Sequence, residues 1–126
     1  MTFFFDNNIS EHLVNGLKAF GENVIHLKEM FDEQEPDASW LKQIGEKKFF
    51  LVTRDERVRF NPIEISAIRQ NSVGAFFVGG KNLSRCAIIQ QVVRNWPRVK
   101  ELSAKTRAPF LFRIPPSGTK FVRLEL

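Results

Sequence analysis

Three consecutive phenylalanines, Phe3 to Phe5, are followed at once by Asp6. So short an apolar run, with no polar residue on either side of its alternation, reads as a strand buried on both faces. Such a strand needs helices above and below it, and the rest of the chain supplies them in a repeating order. After Asn7-Asn8, a pair suited to a turn or a helix N-cap, Ile9, Leu13, Leu17 and Phe20 recur at helical spacing until Gly21 supplies a stop. Val24, Ile25 and Leu27 predict a second strand, which the acidic stretch Asp32 to Pro36 cannot continue. Asp37 falls where an N-cap belongs, ahead of a helix carrying Ala38, Trp40, Leu41 and Ile44 and closed by Gly45.

Phe49 to Val52 predicts a third strand leading into Thr53-Arg54-Asp55, and Asn61-Pro62 then caps a helix containing Ile65 and Ile68. Gly74 to Val78 is a fourth strand. From Asn82 to about Lys105, Leu83, Ala87, Ile88, Val92 and Trp96 keep helical spacing, with Pro97 expected to bend or divide the helix. Phe110 to Ile114 and Phe121 to Leu126 flank Pro115 to Gly118 as a terminal β-hairpin. The expected fold class is therefore α/β: a central, mainly parallel sheet with helices on both faces, extended or flanked by the hairpin. At 126 residues, 1–126 is expected to form a single domain.

No apolar stretch approaches the ~20 residues that a membrane helix needs, and Met1 leads into Phe3 without a basic segment or a cleavage site. One cysteine, Cys86, cannot make an internal disulfide. A cytoplasmic protein without a membrane partner is the expectation. Cys86 lies among apolar helical positions and is expected to be buried and inert. His12 and His26 have no partners at zinc-site spacing, and no nucleophile elbow or glycine-rich phosphate loop is present. Trp40 and Trp96 fall at apolar helical positions and read as core.

Charge is divided along the chain. Up to Glu64 there are 8 Lys and Arg against 12 Asp and Glu; beyond it there are 11 against 2. A carboxylate-rich half joined to a basic half suits a protein that holds a cation and attracts a polyanion, although solvated surface charge produces the same balance. Three acids are placed to meet. In a parallel sheet the strands point their C-terminal ends toward one crevice; Asp6 follows the first strand, Asp55 follows the third, and Asp37 opens a helix at that edge. Clustered carboxylates repel unless a cation lies between them, and an all-oxygen set suits Mg2+ or Mn2+. Such a metal can orient a phosphodiester, polarise a phosphoryl oxygen and acidify an attacking water. Asp6, Asp37 and Asp55 are thus the candidate catalytic and metal-binding residues. Asn7 and Thr53 are candidates to hold them by hydrogen bonds, and Arg54, Arg57 and Arg59 to contact phosphate or RNA. Asp32, Glu33 and Glu35 read as an ordinary acidic surface loop. Helix capping and turn formation remain alternative explanations for the three aspartates.

The segments Phe5-Asp6-Asn7-Asn8-Ile9, Pro36-Asp37-Ala38-Ser39-Trp40-Leu41, Leu51-Val52-Thr53-Arg54-Asp55 and Arg59-Phe60-Asn61-Pro62 occur in an order that resembles PIN-like domains. The resemblance is to the compact VapC45-type group, and extends to Gly79 to Ser84, Asn95-Trp96-Pro97 and Pro109 to Arg113. It implies a PIN-like three-layer α/β/α sandwich and a Mg2+- or Mn2+-dependent endoribonuclease. It also implies the toxin half of a type II toxin–antitoxin pair, with RNA as substrate, a cognate antitoxin as partner and a homodimer as the assembly. By motif position Asp6, Asp37 and Asp55 resemble three of the family's acids, while the fourth acid of larger relatives has no match in these motifs. A noncatalytic PIN-like module binding nucleic acid or protein is the competing expectation, with a DNA-directed nuclease further off.

Overall fold

A computed structural model describes residues 1–55 and 61–126. The strands are β1 (Phe3–Phe5), β2 (Val24–His26), β3 (Phe50–Thr53), β4 (Gly74–Val78), β5 (Phe110–Ile114) and β6 (Val122–Leu124). They form one sheet in the order β2-β1-β3-β4-β5-β6, parallel from β2 through β5, with β6 antiparallel to β5 at the edge. The helices are α1 (Glu11–Ala19), α2 (Asp37–Glu46), α3 (Pro62–Gln70) and α4 (Arg85–Lys105).

Alternation along the strands divides the core into two layers. Phe3, Phe5, Val52, Phe76, Phe110 and Phe112 face one side, where Leu13, Val14 and Leu17 of α1 and Val92, Trp96 and Val99 of α4 cover them. Phe4, Leu51, Ala75, Phe77 and Leu111 face the other side, under Trp40, Leu41 and Ile44 of α2 and Ile68 of α3. Phe3 to Phe5 are each 2 % exposed or less, as a strand between two helical layers requires. The architecture is the expected three-layer α/β/α sandwich with a C-terminal antiparallel hairpin.

Local boundaries differ from the sequence reading for identifiable reasons. Ser10, not the Asn7-Asn8 pair, caps α1, its side chain accepting from the His12 N–H. Phe20 is the C-cap residue and 81 % exposed, although its spacing matched the apolar face. Gly21, at φ +83°, then turns the chain as anticipated. Leu27 lies beyond β2, in a 3-10 turn over Leu27–Glu29. Gly45 does not end α2: it is interior, and a Cβ there would lie 2.5 Å from the Asn71 carbonyl oxygen, so it lets α2 approach the end of α3. Pro97 does not divide α4, which runs unbroken for 21 residues. Pro97 and Val93 are both exposed, so the carbonyl that loses its helical donor is on the solvent side and can bond to water.

The topology fixes where a site can form. From β1 the chain returns through α1 to β2 on one flank, then crosses through α2 to β3 on the other flank. The C-terminal ends of β1 and β3 therefore border a switch point, the place in an open α/β sheet where a crevice opens.

Candidate metal centre

Asp6 is the first residue past β1, and the switch point holds it in the protein rather than in water: it is 8 % exposed. Its Oδ2 accepts from Thr53 Oγ1 at 2.8 Å and its Oδ1 from the Asn7 N–H at 2.6 Å. Burial raises the Asp6 carboxyl above its ordinary range, the two hydrogen bonds oppose that rise, and the charges of Asp37 and Asp55 add to it. Asn7 thus acts through its backbone, while its side chain is exposed.

Thr53, fully buried at the end of β3, links two acids. Its hydroxyl donates to Asp6 and accepts from the Asp55 N–H at 3.1 Å. Thr53→Val keeps the shape and removes both functions, leaving a buried carboxylate oxygen and a backbone N–H short of a partner. Urea unfolding should show a loss of about 1–3 kcal/mol, with Thr53→Ser closer to wild type. Wild-type stability in the valine variant would contradict this role.

Asp37 is the first residue of α2 rather than its cap. Pro36 holds the cap position, and no side chain caps the helix. Asp37 Oδ1 accepts from Trp40 Nε1 at 3.2 Å, one turn further along. The N-cap explanation of this aspartate therefore fails, because its carboxylate faces the indole and the crevice. Asp6, Asp37 and Asp55 line one cavity of about 240 Å³ with Glu33, Glu35 and Trp40. Glu33 and Glu35, read from sequence as plain surface loop, border the crevice. Glu33 is paired with Lys28 at 3.0 Å, and Glu35 accepts from Ser39 Oγ at 2.6 Å.

Among the described residues, a cluster of three acids includes one that motif reading missed. One carboxylate oxygen from each of Asp37, Asp55 and Glu64 lies within 4.8 Å of the others. Glu64 is 9 % exposed and sits in the first turn of α3, behind Asn61, whose side chain accepts from the Ile63 N–H, and Pro62. Its signal was present as Asn-Pro-Ile-Glu, a spacing in which glutamate ordinarily reads as part of a capping box.

Arg54 is engaged by the fold at the end of β3. Its Nη1 donates to the Val78 and Gly79 carbonyls at 3.3 and 3.4 Å, its Nη2 to the Gly80 carbonyl at 3.2 Å, and its backbone N–H to Asn8 Oδ1 at 3.2 Å. This guanidinium clamps the end of β3, hence Asp55, to the end of β4. Gln91 of α4 reinforces the same edge by donating to the Gly79 and Ile114 carbonyls. Arg57 and Arg59 lie outside the described residues. His26 has both ring nitrogens in use: Nε2–H donates to the Ile9 carbonyl and Nδ1 accepts from the Lys28 N–H, which fixes its tautomer and occupies both possible metal-binding atoms. Cys86 is exposed at the start of α4, contrary to its expected burial.

The donor set fits a hard divalent cation. Every candidate ligand is a carboxylate, neither histidine nor cysteine enters the cluster, and Asp6 sits beside two like charges whose repulsion a cation would relieve. Among the described residues no helix is long and apolar enough to cross a membrane. No curated protein and no solved structure matches the chain. The family model described as PIN like domain matches residues 1–80, a span that carries Asp6, Asp37, Asp55 and Glu64, and the chain belongs to the PIN-like domain family.

Proposed function

We propose that this protein is a Mg2+- or Mn2+-dependent endoribonuclease that hydrolyses RNA phosphodiester bonds, of the toxin type that a cognate antitoxin restrains. The observation that carries the reading is the gathering of four carboxylates at the switch point of a PIN-like domain, three of them with oxygens within 4.8 Å of one another. Asp37, Asp55 and Glu64 offer oxygen donors to the cation, and Asp6 presents a fourth carboxylate whose position Thr53 and the Asn7 N–H hold. Trp40 orients Asp37, and the Arg54 clamp fixes the backbone on which Asp55 stands. Bound there, the cation supplies Lewis acidity toward a phosphoryl oxygen and lowers the pKa of water. The sequence motifs left a fourth acid unplaced, and Glu64 supplies a further carboxylate beside Asp37 and Asp55.

The test is incubation of purified protein with mixed-sequence RNA plus Mg2+ or Mn2+, with EDTA and the Asp55→Asn and Glu64→Gln variants in parallel. Cleavage is expected with metal and not with EDTA. Each variant removes a carboxylate donor from the cluster, a larger loss than that of an outer partner, and should lower the rate by more than about 100-fold. RNA left equally intact by wild type and variants in either metal would sink the catalytic reading.

A further inference from the structure

Among the described residues, the partly buried lysines and arginines are Arg54, Arg98, Lys100 and Arg113. All but the last are answered within the protein. Arg54 is bound to the carbonyls of residues 78–80, Arg98 pairs with Glu101, and Lys100 pairs with Glu22 at 2.8 Å. The Arg113 side chain makes no hydrogen bond and no ion pair. Arginine commonly buries its stem and keeps the charged head in water, but here the head lies against the protein. A Cβ on Gly79 would stand 2.6 Å from Arg113 Nε and 2.7 Å from its Cζ, so the guanidinium rests over the Gly79 backbone in space that a side chain would fill. Gly79 is not among the glycines at positive φ; the guanidinium, not the backbone conformation, is what requires glycine there. Withdrawing a cation from water without a counter-charge costs free energy, and nothing in the described residues offsets it.

The sheet puts this guanidinium beside the acids. Thr53 pairs with Phe77 and Phe77 with Arg113, so the three share one row and one face. That face is the one α2 and α3 cover, and the first turns of those helices carry Asp37 and Glu64. Two strand spacings, about 10 Å, separate the Arg113 backbone from Thr53, whose hydroxyl serves Asp6 and the Asp55 N–H. The side chain then runs on to Gly79, the residue past β4, as Asp6 is the residue past β1. Arg113 thus reaches the edge that holds the carboxylates and pairs with none of them. Its neighbour across Gly79 is a like charge, since Arg54 donates to the Gly79 carbonyl. A planar fork of donors left open beside an acidic metal centre matches a phosphate of the strand whose scissile bond meets the metal.

We propose that Arg113 grips a non-scissile backbone phosphate of bound single-stranded RNA, and that Gly79 leaves the guanidinium its seat. The inference rests on the ribonuclease reading for the identity of the polyanion, but its test is binding, not turnover. A short fluorescein-labelled RNA of mixed sequence is titrated with protein in EDTA, and anisotropy is followed over a range of salt concentrations. For Arg113→Met the slope of log K against log salt should fall by about 0.7, the loss of one phosphate contact on a single strand, and Arg113→Lys should restore it. Arg107→Ala, which removes an exposed charge ahead of β5 at the opposite edge of the sheet, should keep the wild-type slope. Because Arg113 has no partner to lose, Arg113→Met should melt no lower than wild type. An Arg113→Met slope equal to that of wild type, an equal drop in Arg107→Ala, or absence of RNA binding by wild type at low salt overturns the proposal. So does an Arg113→Met variant that melts well below wild type, since the guanidinium would then be holding the fold. Failure of the ribonuclease reading is seen separately: RNA is bound through Arg113 but stays uncut with Mg2+ or Mn2+.

Discussion

Asp6→Asn is expected to lower metal-dependent RNA cleavage by on the order of 10³-fold while raising the melting temperature of the metal-free protein. Both effects have one source. Asp6 is almost fully buried beside Asp37 and Asp55, and burial raises its carboxyl above 3.8. In the unfolded chain the group ionises at its ordinary pKa, so between that value and the raised folded value the native state binds more protons and stability falls as pH rises. Above the folded pKa the penalty is fully present; below 3.8 it is absent. Asparagine keeps the shape and carries no charge, so the excess stability of Asp6→Asn should be small in acid and grow toward neutral pH. Adding Mg2+ should reverse the ranking. A cation at a hundred times its Kd stabilises wild type by about 2.7 kcal/mol, and the variant, lacking a carboxylate, should respond much less. Thermal unfolding at several pH values, with and without metal, reads all of this. A variant less stable than wild type in metal-free neutral buffer would show that Asp6 is not a strained acid.

This opposition between stability and site explains which parts of the molecule were legible in its sequence. The strands were readable because burial on both faces leaves no room for polar residues, and the run Phe3 to Phe5 has one reading. Asp6 and Asp55 were readable as a pair because the ends of parallel strands converge by topology. Asp37 and Glu64 were harder. Each stands in the first turn of a helix, where an acid is also favoured by the helix dipole and by capping, so local sequence cannot separate a ligand from a cap. Tertiary placement adds what local sequence lacks: α2 and α3 start at the same edge of the sheet, which brings both carboxylates to Asp55. Phe20 and Cys86 deviated for a related reason. Periodicity states which positions share a helix face, but which turn of that face passes beyond the sheet depends on the packing of other elements.

Proximity in sequence to Asp55 favoured Arg54 as a phosphate contact, yet its guanidinium is bound to the carbonyls of residues 78–80, a tertiary engagement that sequence position does not reveal.

Trp40 joins the core to the crevice, and its two substitutions should separate those roles. The indole is 2 % exposed, packs its ring against Phe4 at 5.4 Å between centroids, and donates from Nε1 to Asp37. Trp40→Ala empties a large volume in the layer formed by Leu41, Ile44 and Ile68 and should cost about 3–5 kcal/mol in urea unfolding. That loss is a large fraction of a small domain's stability and would lower activity through unfolding alone. Trp40→Phe isolates the second role. Phenylalanine retains an aromatic ring against Phe4 and forfeits the donor to Asp37, so unfolding should move by only about 1–2 kcal/mol. Cleavage should nevertheless fall by about 10–100-fold with a weaker apparent affinity for Mg2+, as expected when the partner that orients a metal-binding carboxylate is removed. Equal metal affinity and cleavage in wild type and Trp40→Phe would leave the indole a core residue only, and Asp37 would then be held in the crevice by its place at the start of α2 without help from Nε1.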